Sequence, residues 1–193
     1  MQPDEKKLIQ KFLSDDISPV NGLDIGCGPR VKRGGNCDGQ EFIGKLLSID
    51  KNKDFEPDLC CNVLELKKHF KQGSMKFVTL VHTLEDLENP YEAIRQIVQT
   101  LGKDGIMAII CPYRGKYHRI GTEYANGGHK YDFEPWDVAY MVWRCCVKKK
   151  SNYEVLSYDT LNNNYSFELV IRKKFARFDY SYWPGTKFCN DKE

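Results

Sequence analysis

The sequence predicts an α/β fold in three layers: a mostly parallel sheet between helices, closed at its C-terminal edge by an antiparallel hairpin. Short apolar runs at residues 20–25, 46–49, 59–63, 77–81 and 106–110 are each followed by polar or turn residues, which suits strands buried on both faces of a parallel sheet. Helical patterning falls before, between and after these runs, an alternation that calls for helices layered on a sheet. At 193 residues, 41% of them hydrophobic, the chain has the size of one domain with a full core.

Taken in order, Leu8, Ile9, Phe12 and Leu13 recur at helical spacing, and Ser18-Pro19 ends that segment before the first strand. Residues 1–19 thus form an N-terminal helix attached to a core spanning 20–112. Ahead of the last parallel strand, Ala93, Ile94, Ile97, Val98 and Leu101 share one helical face; Asn89 can cap this helix, Pro90 suits its first position and Gly102 stops it. Residues 113–134 are polar, glycine-bearing and aromatic without a clear period. A loop of that length inside a compact domain is usually functional, and it is placed to cover a site. A helix over 134–146, then strands at 153–158 and 165–171 around Asn162-Asn163-Asn164, make up the closing portion, 135–173. The tail, 174–193, carries Phe175, Phe178, Tyr180, Tyr182, Trp183 and Phe188, which pack back on the body or serve as a surface for a second copy or a protein partner.

Charge narrows the functional classes. The 29 Lys and Arg residues against 27 Asp and Glu leave a net +2, which argues against a general binder of nucleic acid or anionic membrane. Lys148-Lys149-Lys150 reads as an exposed helix end, where cations suit the negative end of the helix dipole. The first residues alternate acid and base, and no uncharged apolar run is long enough to span a bilayer. The expectation is a soluble, cytoplasmic protein. Of the 8 cysteines, Cys60-Cys61 and Cys145-Cys146 are adjacent pairs ill suited to bridging each other, and no C-x-x-C occurs. They read as buried, reduced, apolar residues rather than as a metal site.

The most informative segment is Gly22-Leu23-Asp24-Ile25-Gly26-Cys27-Gly28-Pro29-Arg30, an apolar strand running directly into a G-x-G turn. In a doubly wound sheet this turn lies at the carboxyl end of the first strand, where ligands bind, and an acid after the next strand can accept ribose hydroxyls. Asp50 fills that place, 24 positions beyond Gly26 where about 20 is usual; Gly34-Gly35 accounts for the excess. A dinucleotide site would want a third glycine where Val31 stands. The D-x-G-x-G turn with Asp50 resembles instead the first motif of class I S-adenosylmethionine-dependent methyltransferases, whose fold is Rossmann-like. The resemblance, closest to the type 11-like methyltransferase domain, continues through Asp58-Leu59-Cys60-Cys61-Asn62-Val63 and through Val81-His82-Thr83-Leu84-Glu85-Asp86, which is similar to the family's H-x-L-E-H segment with Asp86 in place of its second histidine. It extends to Gly128-His129-Lys130-Tyr131.

The resemblance implies S-adenosylmethionine as cofactor, without a metal. Asp24, Gly26, Cys27 and Gly28 would lie against its methionine part, Asp50 and Lys51 at the ribose, Asn62 and Val63 beside the adenine, with His82 nearby. It implies methyl transfer, with O-methylation of a small molecule or glycan as the leading expectation. A protein or RNA methyltransferase is one alternative, and an inactive cofactor-binding partner or activator subunit another. Should a hydroxyl be the acceptor, its proton needs a base; His129, His82 and Glu85 are the candidates. Each also has a plain structural reading: His82 orienting the cofactor or capping a turn, His129 packing against Tyr131 or Trp136, and Glu85 as an N-cap or a solvated turn acid.

Overall fold

The computed structural model describes residues 2–29, 44–148 and 152–174. The expectations placed on Val31, the glycines after Arg30, Lys149, Lys150 and the aromatic tail beyond Lys174 lie outside these residues. Among the described residues seven strands form one sheet: β1 (Gly22–Ile25), β2 (Leu47–Asp50), β3 (Leu59–Cys60), β4 (Met75–Val81), β5 (Leu101–Pro112), β6 (Asn152–Leu161) and β7 (Ser166–Lys174). Their spatial order is β3-β2-β1-β4-β5-β7-β6. The first five run parallel, and β7 pairs antiparallel with β5 on one side and with β6 on the other. The expected α/β sheet with its antiparallel closing hairpin is what folds.

Helices α1 (Pro3–Phe12), α2 (Leu66–His69), α3 (Pro90–Thr100) and α4 (Pro135–Lys148) cover the two faces. Alternation along the strands sorts the core. Phe77, Ala108, Ile110 and Val170 pack under Leu8 and Ile9 of α1, whereas Val78, Leu80, Met107 and Ile109 pack with Ala93, Ile94 and Ile97 of α3 and Val138 and Val142 of α4. Asn89 caps α3, its side chain accepting from Glu92 N at 3.0 Å, and Pro90 opens the first turn, as the local sequence predicts.

Several boundaries differ from expectation for local reasons. β3 stops after two residues because Asn62 leaves the sheet to cap a 3-10 turn over Val63–Glu65, accepting from Leu64 N at 3.0 Å. β5 begins at Leu101, so Gly102 is a strand residue rather than the helix stop; the pairing with β4 slips between Met75 and Phe77, and Asp104 takes a φ of 58°. The hairpin turns through Asn162, Asn163 and Asn164, all left-handed at φ 51°, 56° and 67°, a conformation that asparagine tolerates better than most residues. Cys27, Cys61, Cys111, Cys145 and Cys146 are buried and unbridged; Cys60 departs from the expected burial and is exposed. Among the described residues no helix is long and apolar enough to cross a membrane.

Candidate functional site

The carboxyl ends of β1, β2 and β4 enclose a cleft of about 380 Å³. This is the point where strand order reverses between β1 and β4, and such crevices take ligands in open α/β sheets. Gly26 and Gly28 form one wall, with left-handed φ values of 72° and 69°. The first glycine is sterically obligatory: a Cβ there would lie 2.2 Å from Thr83 Oγ1. Thr83 itself is locked in place, its hydroxyl 3.0 Å from Val81 O and 3.2 Å from Ile25 O. Gly28 has nothing within 4 Å of such a Cβ, so its bareness leaves open space on the cleft side.

Asp50, at the end of β2, forms the opposite wall. Its carboxylate accepts from Gly28 N at 3.3 Å and Asn52 N at 2.9 Å, joining the two strand ends. Lys51, Phe55, Asn62 and Val63 continue the lining beyond it. Two residues expected at the ligand stand behind this surface instead: Asp24 and Cys27 are buried and do not line the cleft. Burial, helped by the nearby charge of Asp50, pushes the Asp24 carboxyl up to about 7. The sign of the resulting linkage follows: with a folded value above the unfolded 3.8, the contribution to stability is fully present below about pH 4 and lost as pH rises through about 7. Asp24→Asn should therefore become more stable relative to the native protein as pH rises across that window. Urea midpoints taken near pH 5 and pH 8 check this, and a stability difference independent of pH would contradict it.

His82 lies in the turn after β4 at φ 49° and lines the cleft. Its Nε2 donates to Glu5 Oε1 at 2.9 Å, and its Nδ1 stands 3.7 Å from Glu85 Oε1. Burial opposes the charged ring, but Glu5 and Glu85 outweigh it and raise the imidazole to about 9. A ring protonated at neutral pH serves as a donor and a fixed charge, not as a base. Glu85 is 1% exposed, and neither carboxylate oxygen has a partner within hydrogen-bond distance among the described residues. That replaces the solvated turn acid expected of it.

His129 reaches the same cluster from the long loop, its Nε2 3.8 Å from Glu85 Oε1 and 3.9 Å from Asp86 Oδ1. Its side chain is buried outside the cleft lining and packs on Tyr117, with ring centroids 5.2 Å apart. The loop is pinned here because Lys130 N and Tyr131 N donate to Glu85 O at 2.8 and 3.2 Å, and Tyr131 Oη donates to Glu88 O at 3.2 Å. Asp86 faces the cleft, and burial together with the Glu85 carboxylate holds its carboxyl above the usual range. Between this loop and α4 lies a second hollow of about 320 Å³, lined by Tyr131, Asp132, Phe133, Asp137, Tyr140 and Met141.

The structure thus gathers Gly26, Gly28, Asp50, Lys51, Asn62, Val63 and His82 around one cleft, with Glu85 and His129 behind its His82 and Asp86 side. Sequence reasoning missed Glu5, Thr83 and Phe55 as parts of this site. Thr83 follows His82 in the quoted motif and could have been found there; Glu5 resembles any acid in a first helical turn.

An open sheet with a two-glycine turn, a carboxylate across the crevice and a cleft at the reversal of strand order is the arrangement in which Rossmann-like α/β domains take their ligands. The family model described as a methyltransferase domain matches residues 23–109. That match covers somewhat less than half of the chain, and the fold is one the chain shares with solved S-adenosylmethionine-dependent methyltransferases. No curated protein matches the chain. Among solved structures, an S-adenosylmethionine-dependent methyltransferase from Archaeoglobus fulgidus is similar at 15% identity over 88% of this chain and 91% of its own, with a TM-score of 0.62. The complex of the Haloferax volcanii Trm112 methyltransferase activator with a putative methyltransferase gives 9% identity, 90% coverage of each chain and a TM-score of 0.64. The Burkholderia thailandensis 1,6-didemethyltoxoflavin-N1-methyltransferase with bound S-adenosylhomocysteine gives 14%, 89% and 77% coverage, and 0.60.

Proposed function

We propose that the chain binds S-adenosylmethionine in the cleft and directs its methyl group to a hydroxyl of a small-molecule or glycan acceptor. The observation that carries this reading is Asp50, a carboxylate on the cleft wall opposite Gly26 and Gly28. Asp50 suits a ribose diol, the glycine turn suits the methionine part, and Asn62, Val63 and Phe55 suit the adenine. The sulfonium supplies an electrophilic methyl group, so the protein's tasks are alignment, exclusion of water and handling of one proton. Asp86, with its raised carboxyl, is better placed to take a proton than protonated His82. The hollow of Tyr131 and Tyr140 suits a glycan, whose apolar ring faces pack on aromatic side chains.

A second reading, a cofactor-binding subunit that assists a partner, draws support from His82 being engaged by Glu5 and His129 lying outside the cleft lining. The neighbour held by an activator protein illustrates such partnership for that protein. Calorimetric titration with S-adenosylmethionine and S-adenosylhomocysteine tests what both readings share, with micromolar binding of both expected. Binding of neither would overturn both. Methyl transfer to a panel of hydroxylated acceptors, or its failure despite binding, then separates the two.

A further inference from the structure

Glu5 is the most heavily engaged carboxylate among the described residues near the cleft, and it comes from outside the stretch that matches the methyltransferase domain. That stretch, residues 23–109, supplies His82 and Glu85. Glu5 belongs to the first turn of α1, before it, while Asn162 and Ser166 belong to the β6–β7 hairpin, after it. At the back of His82 these parts meet. Glu5 is 0% exposed. Its Oε1 accepts from His82 Nε2 at 2.9 Å, Asn162 Nδ2 at 3.0 Å and Ser166 Oγ at 2.8 Å, while Oε2 accepts from Gln2 N at 2.8 Å. A carboxylate buried with four donors is held in one orientation, and what it holds in turn is the ring that lines the cleft.

We propose that Glu5 is a positioning residue for the cleft: anchored by Gln2, Asn162 and Ser166, it holds the His82 ring from behind and keeps a proton on its Nε2, so that the ring lines the cleft in one fixed orientation. The inference deepens the methyltransferase reading of the same cleft and rests on it for the ligand's identity, but not for the contact itself. The chemistry is consistent on every side of the ring. Glu5 approaches from α1 and Glu85 from the turn after β4 at 3.7 Å. His129 from the loop faces Glu85 and Asp86 rather than His82, and Cys111 of β5 is electrostatically coupled to Glu85. Burial would raise Glu5, yet His82, Gln2 and Ser166 reverse it and hold its carboxyl below the usual range. The pair is therefore poised as carboxylate and imidazolium.

The test is an NMR titration of the His82 ring in the ligand-free protein, native and Glu5→Gln. In the native protein the ring should remain protonated well above the ordinary histidine range of about 6.5. In Glu5→Gln, which keeps the size of the side chain and removes its charge, the proton affinity of His82 should fall about tenfold or more. A native midpoint in the ordinary range overturns the proposal without any variant, and so does a variant midpoint unchanged from native. A purely structural role for Glu5 would lower the melting temperature but leave the midpoint alone. Because the readout needs no cofactor, failure of S-adenosylmethionine to bind would sink the functional reading and leave this one standing.

Discussion

Asp50→Ala should weaken binding of S-adenosylhomocysteine by about a hundredfold or more, the loss expected when a carboxylate that accepts two hydroxyl hydrogen bonds is removed. The structure adds a second consequence. Asp50 also accepts from Gly28 N and Asn52 N, so the variant loses the bond that joins the glycine turn to the end of β2 and should cost about 1–2 kcal/mol of stability. Calorimetry and denaturant titration on the same preparation separate the two effects. Unchanged affinity would remove Asp50 from the ligand site, whatever happened to stability.

Gly26→Ala should be among the most destabilising single-methyl changes available to the cleft, at about 2–5 kcal/mol. Two costs add: a left-handed backbone position disfavours any Cβ by about 1–2 kcal/mol, and the new atom would meet Thr83 Oγ1 at 2.2 Å, an overpacking worth about 1–3 kcal/mol. Thr83 cannot step aside without giving up its bonds to Val81 O and Ile25 O. Gly28→Ala is the internal control. It shares the left-handed backbone, with φ 69°, but its Cβ meets nothing within 4 Å, so only the conformational cost remains. Chemical denaturation of the pair decides the matter, and equal losses would show that Thr83 yields freely.

Much of the fold was legible because a strand buried on both faces is written as a continuous apolar run. β1, β2 and β4 were placed to within two residues, and the Asn89-Pro90 start of α3 was read from its cap. Where the reading slipped, a local rule met a tertiary demand. Gly102 looks like the stop of a helix, yet β4 offered an edge to pair with, and Leu101 onward became strand around an irregularity near Asp104. Within the site, Gly26, Gly28 and Asp50 were legible because each sits at the end of its own strand, and one motif spans the distance. Glu5 was not. Its partners His82 and Ser166 lie 77 and 161 positions away, and no periodicity in α1 distinguishes a buried carboxylate from a surface one. Similarly, Glu85 and His129 were picked out one at a time, but only the pinned loop reveals that both belong to one buried cluster behind Asp86.

The position of β7 between β5 and β6 has a consequence for how the protein is made. During synthesis α1 and β1 to β5 emerge first and can assemble, but β5 then ends the sheet as an open edge, able to pair with any extended segment it meets. Only when residues 152–174 have left the ribosome can the hairpin close that edge, and the same event delivers Asn162 and Ser166 to Glu5. Protection against misassembly and completion of the wall behind His82 therefore arrive together. A chain stalled before the hairpin would be sticky and unfinished at once, marked for the chaperones and proteases that sort incomplete chains.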